Sequence, residues 1–156
     1  MIEERDKILE TDIIKATASN QNLIPFFTYS IQAGFISPAE NHIEKVVSLD
    51  DLCITNPEAT YFVRAMGDSM IDAGIWDGDV MVVNSAIDHY EGRVVVAWLN
   101  DGFTVKWFHQ ENEFIVLMPS NPSYPPIYVH SGDDFRVFGV VTYWIKKAQI
   151  RKIFEP

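Results

Sequence analysis

The chain has 156 residues, 47% of them apolar, which is enough for one domain with a substantial core and argues against wholesale disorder. A net charge of −10 opposes tight, direct nucleic-acid binding, because that affinity comes largely from cations that displace counterions from phosphates. The single cysteine, Cys53, has no partner for an intramolecular disulfide, and no apolar run reaches the ~20 residues of a membrane span, so a cytoplasmic protein without a membrane anchor is expected.

The opening stretch MIEERDKILE is acidic and polar where a secretory signal is basic and then apolar. Ile2, Ile8, Leu9, Ile13 and Ile14 recur at helical spacing among charged residues, which predicts a short amphipathic helix before about residue 20. Such a helix is too short to hold a helix-turn-helix unit with its own core. SNQN and then Pro25 interrupt the pattern, and the chain onward reads as extended and irregular. Residues 1–58 are therefore expected to form an N-terminal arm and linker, and 59–156 a β-rich domain.

Strand signals dominate from Thr60. TYFVRAM alternates, DVMVVN is a β-branched run, and RVVVAWLNDGFTVKWF reads as a hairpin whose Asn100-Asp101-Gly102 centre suits positive φ angles. EFIVLMP, PIYV and FRVFGVVTYWI add further strands, and Pro119, Pro122, Pro125 and Pro126 mark a rigid loop. The expected fold is mainly β, compact and mostly antiparallel, with an extended N-terminal arm. A short basic cluster, KKAQIRK, lies near the C-terminus.

Within this β pattern, GDSMIDAGIWDGD places Ser69 on a glycine-flanked turn. Lys106 stands in the hairpin's second strand, where a period of two sends Phe103, Val105 and Trp107 to one face and Thr104, Lys106 and Phe108 to the other. Two readings of Lys106 stay open on spacing alone. It is either a solvent-facing lysine whose stem covers its neighbours, or a base for Ser69. The second requires burial, because a lysine at its ordinary pKa of ~10.4 is charged at neutral pH and only desolvation favours the free amine. Likewise, Gly67-Asp68-Ser69 is either an ordinary polar turn or a device that aims backbone N–H groups at an oxyanion.

The stretch ATYFVRAMGDSMIDAGIWDGDVMVV, followed by GFTVKWF with the lysine 37 positions after the serine, resembles the LexA/UmuD family of self-cleaving Ser-Lys peptidases. The resemblance continues through VFGVV and covers roughly residues 31–146. It is strongest toward the UmuD branch, since AGFISPAENHIEK is similar to that branch's cleavage region. The resemblance implies Ser69 as nucleophile, Lys106 as general base, the backbone N–H groups of Asp68 and Ser69 as oxyanion donors, and Ala33–Gly34 as the scissile bond. The alternative for Ala-Gly is a flexible joint. Many family members carry cysteine where Ala33 stands.

The resemblance further implies a homodimer, self-cleavage promoted by a RecA filament on single-stranded DNA, and association with a UmuC-type subunit of an error-prone translesion polymerase in the SOS response to DNA damage. Exposed Phe26, Phe27 and Phe35 on the arm would suit contacts with another chain. No cofactor is implied. Asp72, Asp77 and Asp79 do not follow the spacing of a calcium loop, and His42, His89, His109 and His130 are scattered, so no metal is expected. Rival readings are a non-cleaving binding module of the same fold, a repressor fragment acting in transcription, and a signal peptidase, which needs a membrane anchor.

Overall fold

The computed structural model describes residues 13–15, 24–27 and 43–148. Among them lie ten strands, all paired antiparallel: β1 (Ile13–Lys15), β2 (Ile24–Phe27), β3 (Ile43–Val47), β4 (Thr60–Arg64), β5 (Val80–Asn84), β6 (Val94–Leu99), β7 (Gly102–Gln110), β8 (Ile115–Met118), β9 (Ile127–Val129) and β10 (Phe135–Ile145). Eight join in the order β1-β4-β5-β10-β6-β7-β8-β9, while β2 pairs only with β3. The expected mainly β, antiparallel architecture is the one observed.

The central strands explain the sheet's stability. β6 reads VVVAWL, and its residues alternate between two cores: Val94 and Val96 pack with Val63, Met81, Val83, Phe103 and Val105, whereas Val95, Ala97 and Leu99 pack with Phe108, Leu117 and Val140. Val95, Val96 and Ala97 are wholly inaccessible. Burying a valine on such a strand contributes about 1.5–3 kcal/mol before conformational entropy is subtracted. β10 bridges the two halves, pairing with β6 through Phe135–Val140 and with β5 through Val140–Ile145. Its register shifts between Val137 and Gly139, and a β-carbon on Gly139 would lie 2.8 Å from Val83 Cγ1 and 2.9 Å from the Asn84 carbonyl oxygen. Glycine is needed there for close approach.

Three local features differ from the sequence reading. Ile13–Lys15 is a strand, not part of a helix: it pairs with β4 in the register Ile13↔Val63 and Lys15↔Tyr61. A few isoleucines fit either period, and hydrogen bonds along an open sheet edge decide the outcome. Ile2, Ile8 and Leu9 lie outside the described residues. Pro25 sits within β2, as an edge strand allows. Finally, Ser48 starts a short helix, α1 (Leu49–Cys53), through a capping box in which Ser48 Oγ accepts from Asp51 N and Asp51 Oδ2 accepts from Ser48 N.

The β6–β7 hairpin closes tightly, with Leu99 opposite Gly102. Asn100 takes the positive φ, at 55°, while Gly102 belongs to the strand.

Candidate active site

The Ser69 turn is built from backbone constraints. Gly67 has φ of 80°, and its N–H donates to Asp77 Oδ1 at 2.9 Å. A 3-10 turn, Ile71–Ala73, follows and ends on Gly74 at φ 85°. Gly78 also takes the left-handed region, at φ 85°, and its N–H donates to the Ala65 carbonyl while Ala65 N–H donates to that of Asp79. Each glycine supplies a conformation that a side chain would strain. Asp79 is 6% exposed; its Oδ2 accepts from Trp76 N at 2.9 Å and from Lys146 Nζ at 2.6 Å. The carboxylates of Asp77 and Asp79 thus hold turns together. Among the described residues no group of His, Cys, Asp or Glu clusters as metal ligands.

Onto this turn β7 delivers Lys106. Its Nζ donates to Ser69 Oγ at 2.7 Å, to Thr104 Oγ1 at 3.2 Å and to the Val105 carbonyl at 3.0 Å. Lys106 is only 3% exposed and Ser69 5%, so the solvent-facing reading of this lysine does not hold. The strand alternation falls as expected. Phe103, Val105 and Trp107 pack on one core and Phe108 on the other. Burial in such walls disfavours a charged ammonium, which is the condition a lysine must meet to act as a base.

Beside Ser69 a small depression is lined by Ala65, Met66, Met70, Ile75 and Val105. It is small and mostly apolar, which suits a small side chain. Among the described residues, the backbone N–H groups of Asp68 and Ser69 have no hydrogen-bond acceptor. β7 pairs with β8 from Trp107 to Gln110. Ala33 and Gly34 lie outside the described residues.

The Pro-rich loop also reaches this turn, which sequence reasoning missed. Ser120 N donates to the Ser69 carbonyl at 2.8 Å, Asp72 N donates to the Ser120 carbonyl at 2.8 Å, and Trp107 Nε1 donates to Ser120 Oγ at 3.2 Å. Asn121 Nδ2 donates to the Asp68 carbonyl at 3.0 Å, and the Tyr124 hydroxyl donates to Asp68 Oδ1. The prolines signalled a rigid loop; nothing in the sequence said what that loop would hold.

The histidines stand apart from the dyad. His109 is exposed and lies between Glu91 and Glu111, with Nδ1 2.5 Å from Glu91 Oε1 and Nε2 3.1 Å from Glu111 Oε1. The Glu91 hydrogen bond, reinforced by its charge, raises the His109 pKa above the ordinary 6.5. The hydrogen bond from Gln110 N, followed by that from His109, lowers Glu91 below 4.5. Burial, with Asp50 second, pushes the Cys53 thiol up, away from the reactive thiolate.

The chain is similar to known proteins. The peptidase S24-like family model matches residues 25–142. The chain is 43% identical to protein SamA of Salmonella typhimurium over 129 residues, covering 83% of this chain and 89% of that protein. It is 37% identical to protein MucA of Escherichia coli over 137 residues, 86% of this chain and 93% of that protein. The LexA repressor of Bordetella parapertussis is 37% identical over 116 residues, which cover 74% of this chain and only 53% of the repressor. With a family match spanning most of its length and relatives this similar from end to end, the chain belongs to the S24-like peptidase family, on the side of its UmuD-like members.

Proposed function

We propose that this protein is a serine peptidase whose substrate is its own N-terminal arm, residues 1–58 being arm and linker and 59–156 the peptidase domain. The observation that carries the reading is the 2.7 Å contact between Lys106 Nζ and Ser69 Oγ, with both groups buried. With the amine neutral, the same contact runs the other way and the serine O–H donates to Nζ. That is the arrangement of a nucleophile and its base.

The steps follow from the groups present. Lys106 takes the Ser69 proton as Oγ bonds to the carbonyl carbon of Ala33. The negative charge that develops on the carbonyl oxygen falls to the N–H groups of Asp68 and Ser69, which have no other acceptor among the described residues. The Ala33–Gly34 C–N bond then breaks, and the lysine ammonium returns its proton to the leaving Gly34 amine. Lys106, neutral again, deprotonates a water that hydrolyses the ester, freeing residues 1–33 and regenerating Ser69. The apolar depression takes the Ala33 methyl, and Gly34 lets the backbone approach Ser69 closely.

Residues 1–33 hold three basic and five acidic residues, so the product, 34–156, carries −8, and cleavage acts by exposing surface rather than by reversing charge. In this reading the shortened chain is the active form. It is a cytoplasmic homodimer that joins a UmuC-type translesion polymerase subunit after DNA damage, and a RecA filament promotes its formation. The filament acts by raising the population in which the arm occupies the site, which requires it to bind that state better than the other. The UmuD-like relatives and the shared peptidase family support this assignment. The repressor reading draws less support, because the match covers about half of the repressor.

The test is to incubate the purified chain with and without RecA filament and to determine fragment masses. A fragment beginning at Gly34, formed faster with filament, is expected. An intact chain under all conditions would leave a binding subunit in place of a peptidase.

A further inference from the structure

The contacts between the Pro-rich loop and the Ser69 turn point to a role beyond packing. A trans peptide unit is planar, so its C=O and N–H point in opposite directions and fixing one fixes the other. The Asp68 carbonyl belongs to the peptide unit whose N–H is that of Ser69. Asn121 Nδ2 holds that carbonyl at 3.0 Å, and Ile71 N also donates to it, at 3.1 Å. Asn121 thereby pulls the oxygen toward the loop and turns the Ser69 N–H away from it. The depression beside Ser69 is lined by Ala65, Met66, Gly67, Met70, Ile75 and Val105, with no residue of the loop.

Two further ties limit rotation of this unit. The Tyr124 hydroxyl donates to Asp68 Oδ1, anchoring the side chain of the same residue. Ser120 N holds the Ser69 carbonyl at 2.8 Å, which fixes the next peptide unit. Asn121 Oδ1 accepts from Ser123 N at 3.0 Å, so the loop itself sets the asparagine's orientation.

We propose that Asn121 and Tyr124 are positioning residues that aim the Ser69 N–H at the oxyanion of the scissile carbonyl. The inference rests on the Ser-Lys reading and adds the device that keeps its oxyanion donor in place. Asn121 and Tyr124 act on the carbonyl and carboxylate of Asp68, and the proton chemistry belongs to the dyad. Losing an oxyanion donor costs about 10²–10³-fold in rate, and a donor merely freed to rotate costs less, about tenfold for each variant.

The test measures self-cleavage rates against pH, with thermal unfolding in parallel, for wild type, Asn121→Asp and Tyr124→Phe. Asn121→Asp keeps the shape but sets an oxygen against the Asp68 carbonyl, and Tyr124→Phe removes only the hydroxyl. The expected result is about a tenfold slower reaction in each, with the pH midpoint and the unfolding temperature of wild type.

Wild-type rates in both variants, with wild type cleaving normally, would overturn the positioning role and leave the dyad standing. A rate loss that tracks a fall in unfolding temperature would reduce the loop to a structural brace. A shifted pH midpoint would place the effect on Lys106 and overturn the oxyanion assignment. If wild type cuts at no pH, the dyad reading and this one fall together.

Discussion

Thr104 and Lys106 stand two residues apart on one face of β7, and the lysine Nζ lies 3.2 Å from Thr104 Oγ1. Thr104 is wholly inaccessible, so its hydroxyl is a fixed partner for the amine rather than an incidental surface contact. The strand's period of two brings this acceptor beside the amine, and the serine turn and the Val105 carbonyl supply two more.

Thr104→Val should therefore slow self-cleavage by about tenfold through misplacement of the amine. The substitution preserves shape, and stability should fall by only about 1 kcal/mol. Cleavage kinetics beside a denaturant melt check both. An unchanged rate would mean that Ser69 and the Val105 carbonyl position the lysine without help.

Gly139→Ala should destabilise the domain without touching the dyad. The added carbon would meet Val83 Cγ1 at 2.8 Å and the Asn84 carbonyl oxygen at 2.9 Å, and the latter is backbone that cannot swing aside. Overpacking of this kind costs about 1–3 kcal/mol, readable as a lower denaturant midpoint. A midpoint equal to wild type would show that β10 shifts freely against β5.

The Glu91–His109–Glu111 cluster should make a pH-dependent contribution to stability. His109 is raised in the folded chain, so its contribution is complete below the ordinary 6.5 and is lost as pH rises through the folded value. Glu91 is lowered, so its contribution is present above 4.5 and is lost as pH falls through its own folded value. Both act together between those two ordinary values. In an NMR titration His109 should titrate above 6.5, and Glu91→Gln should move its midpoint down. An identical midpoint in the variant would remove Glu91 as the cause.

Much of this was legible in the sequence because strands carry their period openly. VMVVN, VVVAWL and FRVFGVVTYWI became β5, β6 and β10, and the two faces of β7 fell as the alternation required. The Ser69–Lys106 contact was expected from resemblance, but its burial was not readable, because that depends on how the Ser69 turn packs against β7. Ile13–Lys15 was misread because so short a segment takes its structure from the edge of β4. The ties from Ser120, Asn121 and Tyr124 were invisible, since they join residues more than fifty positions away to the serine turn, apart from Trp107 and Asp72.

The most direct measurement is the self-cleavage rate of the full chain from about pH 7 to about 10.5, spanning the range in which an ordinary lysine near 10.4 deprotonates. Wild type, Ser69→Ala and Lys106→Ala are compared. The account predicts a wild-type rate that climbs with pH to a plateau, a fragment starting at Gly34, and no product from either variant. Cleavage that persists in Lys106→Ala with an unchanged pH profile would contradict the account, because the base would then lie elsewhere.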